Sequence, residues 1–160
     1  MIESTQKDMI IVEGIHAFNP ILTEGLNFNT SLKIYICPFD SYVSEYEGKS
    51  YLIEPHQIRF MRRAIRASPL DKTMDMWRGV RRGEKNYMEP LIPYTDVFFN
   101  SSHEYEIAYL KKKILQMAES GGKSDQERLA EIIRPEPLRA FLGKDDFAIP
   151  EDSLFGEFYV

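Results

Sequence analysis

With 160 residues, 43% hydrophobic and 28% charged, the chain has the material for one globular domain with a core. Its single cysteine, Cys37, excludes an internal disulfide and a Cys-rich zinc site, and His16, His56 and His103 are scattered without ligand spacing. A net charge of -5 argues against general nucleic-acid binding; Met9 to Val12, the longest apolar run, is too short for a bilayer, so a cytoplasmic protein without membrane contact is expected.

Asp8 to Val12 reads as a short buried strand stopped at Glu13-Gly14, with Glu13 at its C-terminal edge. Asn19-Pro20 then predicts a short helix toward Leu26 with Pro20 in its first turn. Leu32 to Cys37 is the second strand, closed by Pro38, and Thr95 to Asn100 the third. Between them lies a mostly helical excursion, about 54–90, broken at Ser68-Pro69. An amphipathic helix over Glu104 to Met117 follows, then a flexible break at Ser120 to Ser124 and a helix ending near Arg134, before Pro135 and Pro137. The apolar Leu154, Phe155, Phe158 and Tyr159 predict a tail that docks on the body. Strands separated by helical patterns give an α/β fold with a parallel sheet flanked by helices.

Three groups of residues could carry chemistry. Glu13, directly after an apolar strand, stands where a carboxylate can reach a magnesium ion, although an N-cap or solvated loop acid has the same spacing. Arg59, Arg62, Arg63 and Arg66 recur at i, i+3, i+4 and i+7, putting four guanidinium groups on one helix face, with Ile58, Met61 and Ile65 left for packing. Such a stripe repels itself unless carboxylates or a bound anion neutralise it, and guanidinium forks match phosphate oxygens in pairs. Trp77 lies beside Arg78, Arg81 and Arg82 and offers either a stacking surface or a core residue.

The charge distribution sharpens this reading. From Gln57 to Arg82 eight cations face two acids, a local balance of +6 that leaves -11 for the rest of the chain. A compact anion such as a nucleotide phosphate suits so confined a segment better than a long polyanion. Gly122-Lys123-Ser124 imitates the end of a G-x-x-x-x-G-K-[ST] phosphate loop, but Met117 holds the place of the first glycine and a helix precedes it, so it is rejected. Adjacent Ser101, Ser102 and His103 do not make a nucleophilic triad, and no catalytic residue is assigned.

Ile10 to Pro20, Leu32 to Ile36 and Arg59 to Arg66, in that order, resemble the uridine kinase and phosphoribulokinase family. Trp77 to Glu84, Thr95 to Ser101 and Ile149 to Phe158 are similar to one branch of it, the bacterial nucleoside kinases that often carry a TGS domain. The resemblance covers nearly all of the chain beyond Lys7 and implies the C-terminal part of a P-loop domain, with a helical lid over about 54–90 and a C-terminal helical extension over about 125–160. It implies transfer of the ATP γ-phosphoryl to a nucleoside, with ATP and Mg²⁺ as ligands of the complete enzyme. Glu13 then matches the magnesium acid, and Arg59, Arg62, Arg63 and Arg66 match the lid arginines that close over the phosphates. Trp77, Arg78, Arg81 and Arg82, on the same excursion, are candidates for additional nucleotide contacts.

Two departures accompany the resemblance. Gln57 and Ala67 stand where the family has acids that orient the lid arginines, and the phosphate loop and general-base aspartate would precede Met1. The chain alone is therefore expected to bind no nucleotide tightly and to be inactive, completed by pairing with an N-terminal half. The alternative is a non-catalytic paralogue, an oligomerisation or anion-binding module that uses an open sheet edge to pair with itself.

Overall fold

Tyr35 and Ile36 are β-formers, and Pro38, which lacks an N–H, ends their run, so β1 spans Ile34–Cys37. In the computed structural model, which describes residues 5, 7–25, 30–67, 69–141, 150, 152 and 153, the chain is mixed α/β with a small parallel sheet and flanking helices. The order is β1, β2 (Tyr42–Tyr46), β3 (Lys49–Ile53), α1 (Pro55–Ala67), α2 (Leu70–Gly83), β4 (Val97–Asn100), α3 (Glu106–Gly121), α4 (Lys123–Ile132) and α5 (Pro135–Ala140). A π-helical turn, Glu84–Met88, and a 3-10 helix, Glu89–Tyr94, connect α2 to β4.

β1 and β4 pair in parallel, from Ile34 opposite Val97 to Cys37 opposite Asn100. Asp96 pins the start of the pair, accepting from the Lys33 amide at 2.8 Å and meeting the Lys33 ammonium at 3.4 Å. Parallel neighbours need a long crossover, and the helical excursion supplies it. Inside that crossover β2 and β3 form an antiparallel hairpin that the sequence reading did not anticipate. Glu47 and Gly48, at φ 51° and 71°, make the two-residue left-handed turn that matches strand twist.

α1 begins with Pro55 at its first position, where the missing N–H costs nothing. Gln57 secures that end: its carbonyl accepts from the Glu54 amide at 2.9 Å, and its Nε2 donates to the Ile132 carbonyl at 3.1 Å. Helix faces then build the core: Ile58, Phe60, Met61 and Ala64 of α1 meet Met74 and Trp77 of α2, Ile107, Leu110 and Ile114 of α3, Leu129 of α4 and Leu138 of α5. Full burial of side chains such as Ile58, Phe60 and Met61 contributes about 1.5–3 kcal/mol each. The core is thus mainly helical, with Ile53 of β3 joining it and neither β1 nor β4 contributing to it.

Several expectations are corrected. Asp8 to Val12 forms no strand; no neighbouring strand pairs with it, and Met9 to Val12 stand 67–88% exposed. The helix expected after Pro20 is a single turn, in which Asn19 accepts from the Ile21 amide through its side chain and from Thr23 through its carbonyl. The break near Ser120 is a tight joint, because Gly122, at φ 81° and ψ −167°, takes an extended positive-φ conformation open almost only to glycine and ends α3 just before α4 starts. Pro135 does interrupt α4, but at a helix start a proline is favourable, and α5 begins on it. Of the tail, Leu154, Phe155, Phe158 and Tyr159 lie outside the described residues; Ser153 is buried, with its hydroxyl 2.6 Å from that of Tyr105. No helix among the described residues is long and apolar enough to cross a membrane.

Candidate functional site

The arginine helix runs beside the carboxyl ends of β1 and β4, and carboxylates from two other elements hold it there. Arg59 gives Glu84 a two-point contact, Nε to Oε1 and Nη2 to Oε2 at 3.0 Å each, while its Nη1 lies 3.5 Å from Cys37 Sγ at the end of β1. Arg81 also donates to Glu84, and its Nη1 is 3.9 Å from Glu89. Burial alone would raise the Glu84 carboxyl pKa, but hydrogen bonds and charge from Arg59 and Arg81 outweigh it and hold the pKa below the usual range. Burial pushes the Cys37 thiol up, against the opposing pull of Arg59, so it is not poised as a thiolate.

Arg62 is held more completely. Its Nε and Nη2 engage both oxygens of Glu106, the second at 2.8 Å, and Nη2 and Nη1 also reach the Ser101 carbonyl at 2.6 Å and hydroxyl at 3.2 Å. Glu106 has no exposed surface and lies in the first turn of α3, where the helix dipole favours a carboxylate. It also accepts from the His103 amide at 3.3 Å. Arg62 therefore ties α1 to the loop leaving β4, as Arg59 ties it to the end of β1.

The two strand ends are themselves knitted together. Asn100 Oδ1 accepts from the amides of Phe39 and Ser102 at 3.1 Å each, and the Asp40 amide donates to Ser102 Oγ at 3.3 Å. Tyr42, in the hairpin, donates its hydroxyl to the His103 carbonyl at 3.1 Å. Ligands of open parallel sheets bind outside the carboxyl ends of the strands, so the arginine helix borders the place where a ligand is expected.

The sequence candidates divide accordingly. Arg59, Arg62 and Arg81 are part-buried in ion pairs, whereas Arg63, Arg66, Arg78 and Arg82 are exposed. Arg63, Arg78 and Arg82 form no salt bridge with any described carboxylate. Trp77 is not a stacking surface: it is 6% exposed and packs edge-on against Phe60, ring centres 5.3 Å apart, because its helix turns that face into the core. Gln57, at the first position where the resemblance expects an orienting acid, caps α1; Glu84 and Glu106 orient Arg59 and Arg62 instead.

Glu13 is exposed on the unpaired stretch after Val12. No group of three or more His, Cys, Asp or Glu suited to a metal occurs among the described residues. The strand end expected to position Glu13 is not formed, so its role as a magnesium acid rests on the resemblance alone. Gly122-Lys123-Ser124 lies between two helices, and the Lys123 ammonium points to solvent 3.7 Å from Glu127, so no strand-to-helix phosphate cradle exists there.

Glu84 and Glu106 escaped the sequence reading. A signal for Glu106 was present, since it falls in phase with Leu110 and Ile114 at i+4 and i+8, and a carboxylate on a buried stripe requires a cationic partner. The chain matches no family model, no curated protein and no solved structure.

Proposed function

We propose that the chain is the C-terminal part of a P-loop nucleoside kinase of the uridine kinase and phosphoribulokinase type, contributing the arginine lid and the magnesium acid. One observation carries the reading: α1 places its arginines at the carboxyl ends of two adjacent parallel strands, Arg59 against Cys37 and Arg62 against Ser101. Phosphoryl transfer depends mainly on positioning and charge neutralisation. Arg59 and Arg62 fix the helix, and Arg63 and Arg66, next on the stripe, present their charge to the nucleotide phosphates, with Arg78 and Arg82 available on α2. Glu13 would hold Mg²⁺, which neutralises charge on the phosphates when bound. A kinase of this type would also need a phosphate loop and a general base, and its substrate would be a nucleoside hydroxyl.

The test is an assay of ATP-dependent uridine phosphorylation by two proteins, the 160-residue chain and the same chain extended by the segment encoded in phase before Met1. Transfer by the extended protein alone is expected, together with a G-x-x-x-x-G-K-[ST] sequence in the added segment. The proposal fails if the short chain phosphorylates uridine, or if the added segment encodes no such loop.

A further inference from the structure

Both faces of the β1–β4 pair are partly open, and they differ in what they meet. On one face Cys37 is buried beside Arg59, and Tyr35, Phe39 and Phe98 form an aromatic cluster with ring centres 5.8–6.3 Å apart, in which Phe39 and Phe98 remain 38% and 54% exposed. The other face carries Ile34, Ile36, Val97 and Phe99, in register, extended by Leu32 just before β1. These five are 40–68% exposed.

Such a surface is unusual for its class of sheet. Parallel strands are normally covered on both faces, and a two-stranded sheet has little stability of its own. The open fractions leave on the order of 500 Å² of apolar surface, within the roughly 300–600 Å² of the largest patch on a typical monomer, a patch that is often functional. Neither strand carries a charged residue, so the lysines and prolines that usually guard an exposed sheet are missing from both.

We propose that this face, formed by Leu32, Ile34, Ile36, Val97 and Phe99, is a self-association surface whose occupant is the same face of a second copy of this chain. Two copies related by a two-fold axis would bury on the order of 1,000 Å² between them, the threshold for a specific interface. An uncharged apolar face is complementary to its own image, with no like charges brought together and no ion to desolvate. Two sheets can stack at about 10 Å with interdigitating side chains. The face leaves the arginine helix, on the opposite side of the pair beside Cys37, free to act in either molecule. The inference does not use the kinase reading, on which a further segment of the complete domain would cover this face instead.

Sedimentation equilibrium of the 160-residue chain over a range of micromolar concentrations tests it. A reversible species of twice the chain mass is expected. Ile36→Glu and Phe99→Glu should each give a monomer with an unchanged circular dichroism spectrum, while Val43→Glu, on the β2–β3 sheet, should leave the dimer intact. Hydrogen exchange of the unsubstituted chain provides a readout that needs no variant: protection of 97–100 should rise with protein concentration. A wild-type monomer throughout the range, a dimer that survives both substitutions, or exchange independent of concentration overturns the proposal. A monomer whose Phe99 face is covered by another segment or another protein overturns it equally.

Discussion

Arg62 and Glu106, 44 residues apart in the chain, meet as a two-point ion pair in which the carboxylate is fully buried and the guanidinium also reaches Ser101. Two such charges taken from water repay their desolvation only when the geometry is good and the remaining hydrogen bonds are made. Here they are made, by Ser101 and by the amide of His103. The pair ties α1 to the start of α3 and to the loop after β4, with the carboxylate fully buried and the guanidinium about a quarter exposed.

Removing one partner should therefore cost far more than removing both. Glu106→Ala is expected to lower unfolding stability by about 3–5 kcal/mol, because Arg62 keeps its charge in a part-buried site. The Arg62→Met, Glu106→Leu double variant should recover most of that loss. Urea denaturation of the three proteins provides the comparison; equal, additive losses would show that the pair is not coupled.

Glu84 predicts an acid dependence. Its folded pKa is depressed by Arg59 and Arg81, so the unfolded chain binds more protons in the acid range and the native state loses this stabilisation as pH falls. The contribution is complete above about pH 5 and disappears as pH drops through the folded value, below the usual 4.5. Thermal melts of Glu84→Gln should start lower at neutral pH and fall less steeply between about pH 5 and 3 than those of the unsubstituted protein. Parallel curves would contradict the assignment.

Trp77 should behave as a core residue in every test. Its emission is expected to be blue-shifted and poorly quenched by iodide, and Trp77→Ala should cost about 3–5 kcal/mol through the cavity left against Phe60. Emission characteristic of water-exposed indole would refute this placement.

The Gly122 joint should matter to helix geometry and not to phosphate. Gly122→Ala places a Cβ on a residue at φ 81° and ψ −167° and should cost about 1–3 kcal/mol, measured by denaturation. Lys123→Ala should leave stability within error, and in the extended protein nucleotide binding as well. A loss of nucleotide affinity in Lys123→Ala would restore the phosphate loop that the geometry denies.

Sequence patterns revealed the elements that depend on local signals. Pro38 ending β1, the helix break before Pro69 and the apolar stripe of α3 all announce themselves within a few residues. The β2–β3 hairpin was missed because Glu-Gly is a weaker turn signal than Asn-Gly, although φ 51° at Glu47 serves the same turn. Asp8 to Val12 misled because an apolar run records a preference for burial and cannot supply the neighbouring strand that burial needs. The arginine spacing identified one helix and one face. It could not say that Glu84 and Glu106, 25 and 44 residues further on from Arg59 and Arg62, would claim those two and leave Arg63 and Arg66 exposed, since that division depends on tertiary approach.

The proposal that the exposed arginines of α1 serve the transferred phosphate is tested most directly by kinetics of the extended protein carrying Arg63→Ala and Arg66→Ala. A fall in kcat of at least about tenfold, equivalent to roughly 1.4 kcal/mol of transition-state stabilisation, with the uridine KM unchanged, is the predicted result. An unchanged kcat in the double variant, with the fold intact, would contradict it.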